Sequence, residues 1–157
     1  MEQSKAEKPV IHQDLVVLDM NCSTAEEAIR QLAGKLEERR WVKEGYTQAV
    51  LNREKEYPTG LPTNEAAVAI PHTNAEYCLK SAMVTGILRE PVSFGNMANP
   101  DEMLPVRIIF LLAMKEPALQ VQWLKQLVSM LRKPGMLENL VNQTSRDEVV
   151  NLLKTIL

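Results

Sequence analysis

The sequence predicts a three-layer α/β domain, because short apolar runs typical of buried strands alternate with segments of helical periodicity. The chain of 157 residues is long enough to enclose a hydrophobic core without disulfides or a metal to stabilise it. Its start is mostly polar or charged. We therefore expect a flexible N-terminal tail at 1–9 and a single domain at 10–157.

The apolar runs with the length and composition of β-strands lie at 15–18, 66–70, 82–88 and 106–112. The last of these runs is the most strongly apolar and should lie at the centre of the sheet. Pro91 should close the third strand, since proline cannot donate to a sheet ladder. The turn-forming residues at 58–62 should make a loop before the second strand.

The remaining periodic segments predict helices. Capping-box patterns that begin at Ser23 and Ser145 should open the first and the last of them. Pro117 suits the first turn of the third helix, and the Pro-Gly pair at 134–135 should end it. Five helices are predicted. The first starts after Ser23, the second covers 46–56 and the third starts at Pro117. The fourth covers 137–141, and the fifth starts after Ser145.

The composition argues against several classes of function. The 18 basic and 20 acidic side chains give a formal net charge of −2 without a basic run, which argues against nucleic acid as a partner. No apolar stretch could span a bilayer and the charged start is unlike a signal peptide, so we expect no direct membrane insertion. Cys22 and Cys78 lack metal-ligand spacing. They favour a cytoplasmic protein with neither metal nor cofactor.

The segment 66–73 contains the most informative residue of the chain. Its apolar run stops at Pro71 and is followed by His72, one of only 2 histidines. A side chain at the end of a buried strand is rigidly aimed, as a nucleophile for group transfer must be. The alternative is that His72 is an ordinary loop residue.

Several residues near this histidine in sequence carry groups that bind anions. Arg53 has a planar guanidinium that matches phosphate oxygens. Gly60 has no Cβ and lets a backbone approach a ligand closely. Hydroxyl and amide donors come from Thr59, Thr73 and Asn74. Histidine, arginine and hydroxyl donors without a carboxylate pair are more typical of a phosphoryl relay than of a hydrolase.

Each of these residues also has an ordinary structural interpretation. The run 53–56 could be a solvated helix face with weak ion pairs, and 59–60 could be turn chemistry alone. Cys78 could be a nucleophile with His72 as its base, although no neighbour indicates a lowered thiol pKa. Gln120 begins an apolar helix face, and it either faces an active site or marks where that face meets solvent.

Taken together, these motifs resemble enzyme IIA of the fructose and mannitol class of the bacterial phosphoenolpyruvate-dependent sugar phosphotransferase system. The stretches that carry the resemblance are REKEYPTGL at 53–61, AVAIPH at 67–72 and QVQWLKQL at 120–127. The resemblance covers nearly the whole chain after the tail. It implies a three-layer α/β/α fold in which helices flank a mixed β-sheet.

The resemblance also implies roles for the candidate residues. His72 would take a phosphoryl group from the phosphocarrier HPr and pass it to a cysteine of enzyme IIB. Through IIB, the chain would be linked indirectly to the membrane component IIC. Arg53 would steady the charge of the phosphohistidine, and Thr59 would shape the pocket floor. The phosphate pocket would further include Gly60, Pro71, Thr73 and Asn74.

Two positions depart from the family pattern. Many members have glycine directly after the active histidine and a second histidine at the position of Gln120, whereas this chain has Thr73 and Gln120. The Gln120 amide would therefore replace the second histidine. This substitution and the Pro-Thr-Gly loop are similar to the galactitol-type enzyme IIA and point to a polyol. A regulatory module of the same fold, which reports phosphorylation state to a partner protein, is the alternative function.

Overall fold

The computed structural model describes residues 8–156. Most of the expected tail, residues 1–7, lies outside the described residues. At the start of the described range, Pro9 is buried and Val10 forms an isolated bridge with Ala82.

Strands and helices follow one another largely in the predicted order. The strands are β1 Val16–Met20, β2 Gly60–Leu61, β3 Ala67–Ala69, β4 Ala82–Asn96 and β5 Asn99–Ala113. The helices are α1 Ala25–Glu38, α2 Tyr46–Glu56, α3 Pro117–Leu131, α4 Met136–Val141 and α5 Arg146–Ile156. Short 3-10 turns lie at Gln13–Leu15 and Ala75–Tyr77.

The sheet is mixed and is organised around a long antiparallel hairpin of β4 and β5. Strand β1 pairs in parallel with β4, and β3 pairs in parallel with β5. Strand β2 runs antiparallel to β3 and also pairs through Gly60 with Asn96 near the hairpin tip. The mixed α/β fold is thus confirmed, and so is the central position of β5.

The hairpin corrects the prediction that Pro91 ends a strand. Strand β4 continues to Asn96, and its register against β5 shifts between Ile87 and Val92. A proline is tolerated at such an irregularity because its missing N–H interrupts no regular ladder. Strand β5 likewise begins at Asn99 rather than at 106, through a largely exposed segment whose polar residues and two prolines give no strand pattern.

Two local predictions also need correction. Thr24, rather than Ser23, is the N-cap of α1: its Oγ1 accepts from the Glu27 N–H at 3.1 Å, while the Ser23 N–H donates to the Glu27 carboxylate. The predicted loop 58–62 contains β2, because Gly60 and Leu61 find backbone partners in β3. The bounds of α2 agree with the prediction.

Buried side chains form two clusters, one on each face of the sheet. One face is covered by α1 and α2, through residues such as Leu32, Leu36 and Val50. The opposite face is covered by α3, α4 and α5, through residues such as Leu127 and Leu153. This arrangement gives the three layers. None of the helices within 8–156 combines the length and the apolar character needed to cross a membrane.

Candidate functional site

Strand β3 delivers His72 to the edge of the core. Beyond the last β3 residue the chain stays attached to β5, because the Leu112 N–H donates to the Pro71 carbonyl at 3.0 Å. His72 and Thr73 are 8% and 5% exposed. The histidine is therefore held by backbone on a rigid sheet and does not lie in a free loop.

One ring nitrogen of His72 is committed to the backbone. Its Nδ1 lies 2.8 Å from the Ile70 carbonyl oxygen. A carbonyl can only accept, so this contact assigns the proton to Nδ1 and leaves a lone pair on Nε2. Of the two ring nitrogens, Nε2 is thus the one with a lone pair available for bonding.

The surroundings also keep the imidazole neutral. Burial lowers the pKa of His72 below its ordinary value. The hydrogen bond to Ile70 acts in the opposite direction, whereas the Arg53 guanidinium lowers the pKa further. The ring is consequently unprotonated at neutral pH, which is the form that can attack an electrophile.

Arg53 lies in the last turn of α2 and brings a cation to this site. Its guanidinium carbon is 5.5 Å from the centre of the Tyr57 ring. Its Nε is buried and has no hydrogen-bond partner within the described part of the chain. Arg53 also takes part in none of the ion pairs found there. Arg53 is therefore not part of a solvated face of weak ion pairs, and its donors remain available for an anion.

An open cavity of about 260 Å³ lies beside the guanidinium. Its polar lining comprises Asn52, Arg53, Glu56, Thr73 and Asn74, together with the Tyr57 and Tyr77 rings. The cavity thus joins the end of α2 to the two residues that follow His72 in the chain. Among the sequence candidates, Arg53, Thr73 and Asn74 line this cavity. His72 is not part of the lining, but it is close enough to Arg53 for the guanidinium charge to lower its pKa.

Thr59 is close to this site but its hydroxyl is already engaged. The hydroxyl donates to Glu54 Oε1 at 2.9 Å and accepts from the Ile70 N–H at 3.0 Å. Thr59 is 3% exposed. It therefore shapes the backbone before His72, and the sequence expectation of a free hydroxyl donor needs correction.

The space at Gly60 serves the fold in the same way. A Cβ at this position would lie 2.5 Å from the Gly95 carbonyl oxygen. The missing side chain thus admits the backbone of β4, where the sequence analysis expected a ligand to approach.

Glu54 is the residue that sequence reasoning missed. Its two carboxylate oxygens accept from the Thr59 N–H at 2.8 Å and from the Thr59 hydroxyl. Burial raises the pKa of Glu54 to about 7, against the opposing effect of these hydrogen bonds. Its only sequence signal was its place directly after Arg53, in a run that also suits a solvated helix face.

Comparison with known proteins decides the family. Residues 9–156 match the family model described as phosphoenolpyruvate-dependent sugar phosphotransferase system, EIIA 2. The chain belongs to this family. The resemblance noted in the sequence is thereby confirmed.

Relatives of this EIIA chain include an EIIA component and a transcriptional regulator. It is 31% identical over 100 residues to the galactitol-specific EIIA component of Escherichia coli K12, covering 64% of this chain and 66% of that protein. It is 29% identical over 133 residues to the transcriptional regulator ManR of Bacillus subtilis, covering 83% of this chain and 19% of the regulator. The chain thus spans less than the full length of both.

A solved structure shares the same fold. It is the complex of enzyme IIAMTL and phosphorylated enzyme IIBMTL from Escherichia coli, which matches with a TM-score of 0.74 and 31% sequence identity. The match covers 90% of this chain and 95% of that chain.

Gln120 in this EIIA domain lies in the first turn of α3, shortly after the end of β5. Its Oε1 is buried and has no hydrogen-bond partner in residues 8–156. The indole N–H of Trp123, one turn later, is buried and unpaired as well. Gln120 thus begins the buried face of α3 with an unused acceptor, and it makes no hydrogen bond to His72 in the described structure.

Cys78 does not have the properties of a nucleophile. It is buried, and burial raises the pKa of its thiol to about 11. The thiol is protonated at neutral pH, which argues against the Cys-His hydrolase. Between residues 8 and 156, no group of three or more His, Cys, Asp or Glu side chains could hold a metal ion.

Proposed function

We propose that this EIIA chain is a phosphocarrier that accepts a phosphoryl group on His72 from phosphorylated HPr and donates it to a cysteine of an enzyme IIB. One observation carries the proposal: the imidazole is neutral, its Nδ1 is bound to the Ile70 carbonyl, and its Nε2 is free. Family membership and the IIA–IIB complex among its structural relatives support the choice of partners. The reaction would take place in the cytoplasm.

The transfer needs little beyond alignment and charge stabilisation. The Nε2 lone pair attacks phosphorus while the bond from phosphorus to its carrier atom on HPr breaks, and that bond's electron pair leaves with HPr. Arg53 compensates the phosphoryl charge through its unpaired donors. Thr73 and Asn74 contribute polar groups to the same cavity, and Pro71 holds the backbone before the ring. In the second transfer, an IIB thiolate attacks the same phosphorus, the bond from phosphorus to Nε2 breaks, and its electron pair returns to Nε2.

We further propose that the transported substrate is a galactitol-like polyol. Similarity to the galactitol-specific EIIA component supports this choice. Gln120 supports it too, because it occupies the place where the resemblance leads one to expect a second histidine. Its buried, unpaired Oε1 suits an amide that would orient a phosphohistidine or its bound water.

A regulatory role is the second candidate, and the similarity to ManR favours it. In that case His72 would still be phosphorylated, but the modified domain would act on a partner protein and would not supply phosphate to a transporter. Both functions require the same chemistry at His72.

Phosphoryl transfer in a purified system tests the proposal. The protein is incubated with labelled phosphoenolpyruvate, enzyme I and HPr, and enzyme IIB proteins are then added separately. We expect acid-labile label on Nε2, identified by phosphorus NMR, and its transfer to a galactitol-type IIB. A chain that takes up no label contradicts the proposal. A labelled chain that passes phosphate to no IIB favours the regulatory role.

Arg53→Ala is expected to slow phosphorylation by about 100-fold and to leave the fold intact, because it removes a charge that pairs with the transferred phosphoryl group. Arg53→Lys should recover part of the rate, since a point charge replaces only part of the guanidinium fork. Rapid-quench labelling measures the rate, and thermal unfolding measures the fold. A fall of more than about 5 °C in Tm would instead make Arg53 a structural residue.

A further inference from the structure

A chain of hydrogen bonds connects the end of α2 to the histidine ring. Glu54 accepts both the N–H and the hydroxyl of Thr59, at 2.8 and 2.9 Å. The same hydroxyl oxygen accepts the Ile70 N–H at 3.0 Å, and the Ile70 carbonyl accepts from His72 Nδ1 at 2.8 Å. A carboxylate on one element is thus linked, through one side chain and one backbone residue, to the proposed nucleophile.

Each link in this chain has few alternatives. Ile70 follows the last residue of β3, and its buried N–H is satisfied by the Thr59 oxygen in place of a strand partner. For that oxygen to present a lone pair to Ile70, its own hydrogen must point elsewhere. Glu54 Oε1 takes this hydrogen. The carboxylate therefore determines which way the hydroxyl is turned.

The backbone that carries the ring is anchored on both sides. The Ile70 N–H is bound by Thr59, and the next carbonyl, that of Pro71, is bound by the Leu112 N–H at 3.0 Å. The Ile70 carbonyl lies between these two anchors and has a defined direction, toward Nδ1 of His72. Loss of the first anchor would leave this carbonyl held from one side only.

We propose that Glu54 is a positioning residue for His72: by orienting the Thr59 hydroxyl it holds Ile70 so that the Ile70 carbonyl keeps the proton on Nδ1 and presents Nε2 to the phosphoryl donor. The proposal rests on the proposed function of His72 as phosphoryl acceptor. Within residues 8–156, no hydrogen bond joins Glu54 directly to the His72 ring. Its effect is therefore on the tautomer and orientation of His72.

The charge state of Glu54 fits this role. Above its pKa of about 7 the carboxylate is an acceptor at both oxygens, as its two contacts with Thr59 require. In the described part of the chain, three charged groups surround the Glu54 carboxylate. Arg53 on α2 acts on it through its charge. Lys55 on α2 and Glu26 on α1 line a cavity that Glu54 also lines. Measurements at pH 8 therefore observe the ionised form.

The test compares Glu54→Gln with wild type at pH 8. A glutamine of the same shape has one acceptor oxygen for two Thr59 donors, so the hydroxyl must turn and the Ile70 anchor weakens. Nitrogen-15 NMR of the His72 ring should report almost pure Nδ1–H tautomer in wild type and a mixture in Glu54→Gln. Phosphorylation by HPr should slow by about tenfold.

Matched variants separate positioning from general stability. Thr59→Ser keeps the hydroxyl and should retain the wild-type tautomer and most of the rate, whereas Thr59→Val removes it and should behave like Glu54→Gln. Glu44→Gln removes one charge from an exposed residue just before α2 and should change neither. Tm is recorded for each variant so that only folded protein is compared.

The outcomes are distinct for the two proposals. If Glu54→Gln and Thr59→Val keep both the wild-type tautomer and the wild-type rate, Glu54 has no positioning role, while phosphoryl transfer on His72 stands. If wild type takes up no phosphate, the proposed function fails, and the tautomer measurement alone still decides whether Glu54 and Thr59 position the ring. A Thr59→Ser protein that resembles Thr59→Val would also overturn the positioning proposal.

Discussion

His72→Ala is expected to reduce phosphorylation by HPr by at least about three orders of magnitude, because it removes the proposed nucleophile and no neighbouring group can replace it. Cys78 is the nearest alternative in sequence, but its thiol pKa of about 11 keeps it protonated. His72 is 8% exposed and lies three residues beyond the end of β3, so its replacement also removes buried contacts, and Tm is recorded so that only folded protein is compared.

Incorporation of labelled phosphate, followed by acid treatment, measures this effect. The matched control is His12→Asn, at the other histidine of the chain, which caps the first 3-10 turn by accepting from the Asp14 N–H at 3.0 Å. Asparagine retains the cap, and the control should be labelled at the wild-type rate. Equal labelling of His72→Ala and wild type would show that another residue carries the phosphate.

Gly60→Ala adds a single methyl group and is expected to destabilise the protein strongly. The new Cβ would lie 2.5 Å from the Gly95 carbonyl oxygen, with Leu104 at 3.3 Å on another side. Backbone cannot rotate away as a side-chain tip can, so β2 must separate from β4. We expect a loss of about 3 kcal/mol in the free energy of unfolding and a fall in Tm on the order of 10 °C.

Gly34→Ala is the control for this substitution. Gly34 lies within α1, and a Cβ there would meet no atom within 4 Å. Alanine is favoured over glycine in a helix, so this variant should gain about 0.5–1 kcal/mol. Thermal and denaturant unfolding of both variants provide the comparison. A Gly60→Ala protein as stable as wild type would mean that the two backbones can move apart without cost.

Local sequence patterns predicted much of the framework. The apolar run that ends at Pro71 predicted a strand that delivers His72, and α2 has the predicted bounds. These features depend on residues adjacent in the chain, whose propensities and periodicity act over one strand or one helix. The hairpin extension was missed because the outer part of β5 is largely exposed and contains two prolines and no apolar run. Pairing with β4 alone makes that segment a strand.

The surroundings of the histidine were predicted less completely. Sequence reasoning named Arg53 and Thr59 but treated Glu54 as part of a solvated helix face. The structure partly buries Glu54 against Thr59, because the loop after α2 turns back toward the end of that helix. Nothing in a run of charged residues indicates which one is covered in this way.

The sequence by itself determined the order of the helices and of every strand except β2, the place of His72 shortly after a strand, and the motifs that assign the chain to the EIIA family. Only the tertiary structure decided which nitrogen of His72 is free, that Glu54 accepts both donors of Thr59, and that Gly60 admits the backbone of Gly95. The physical reason is distance along the chain. Hydrogen bonds and close contacts between separate elements depend on how the sheet brings them together, which local propensity does not encode.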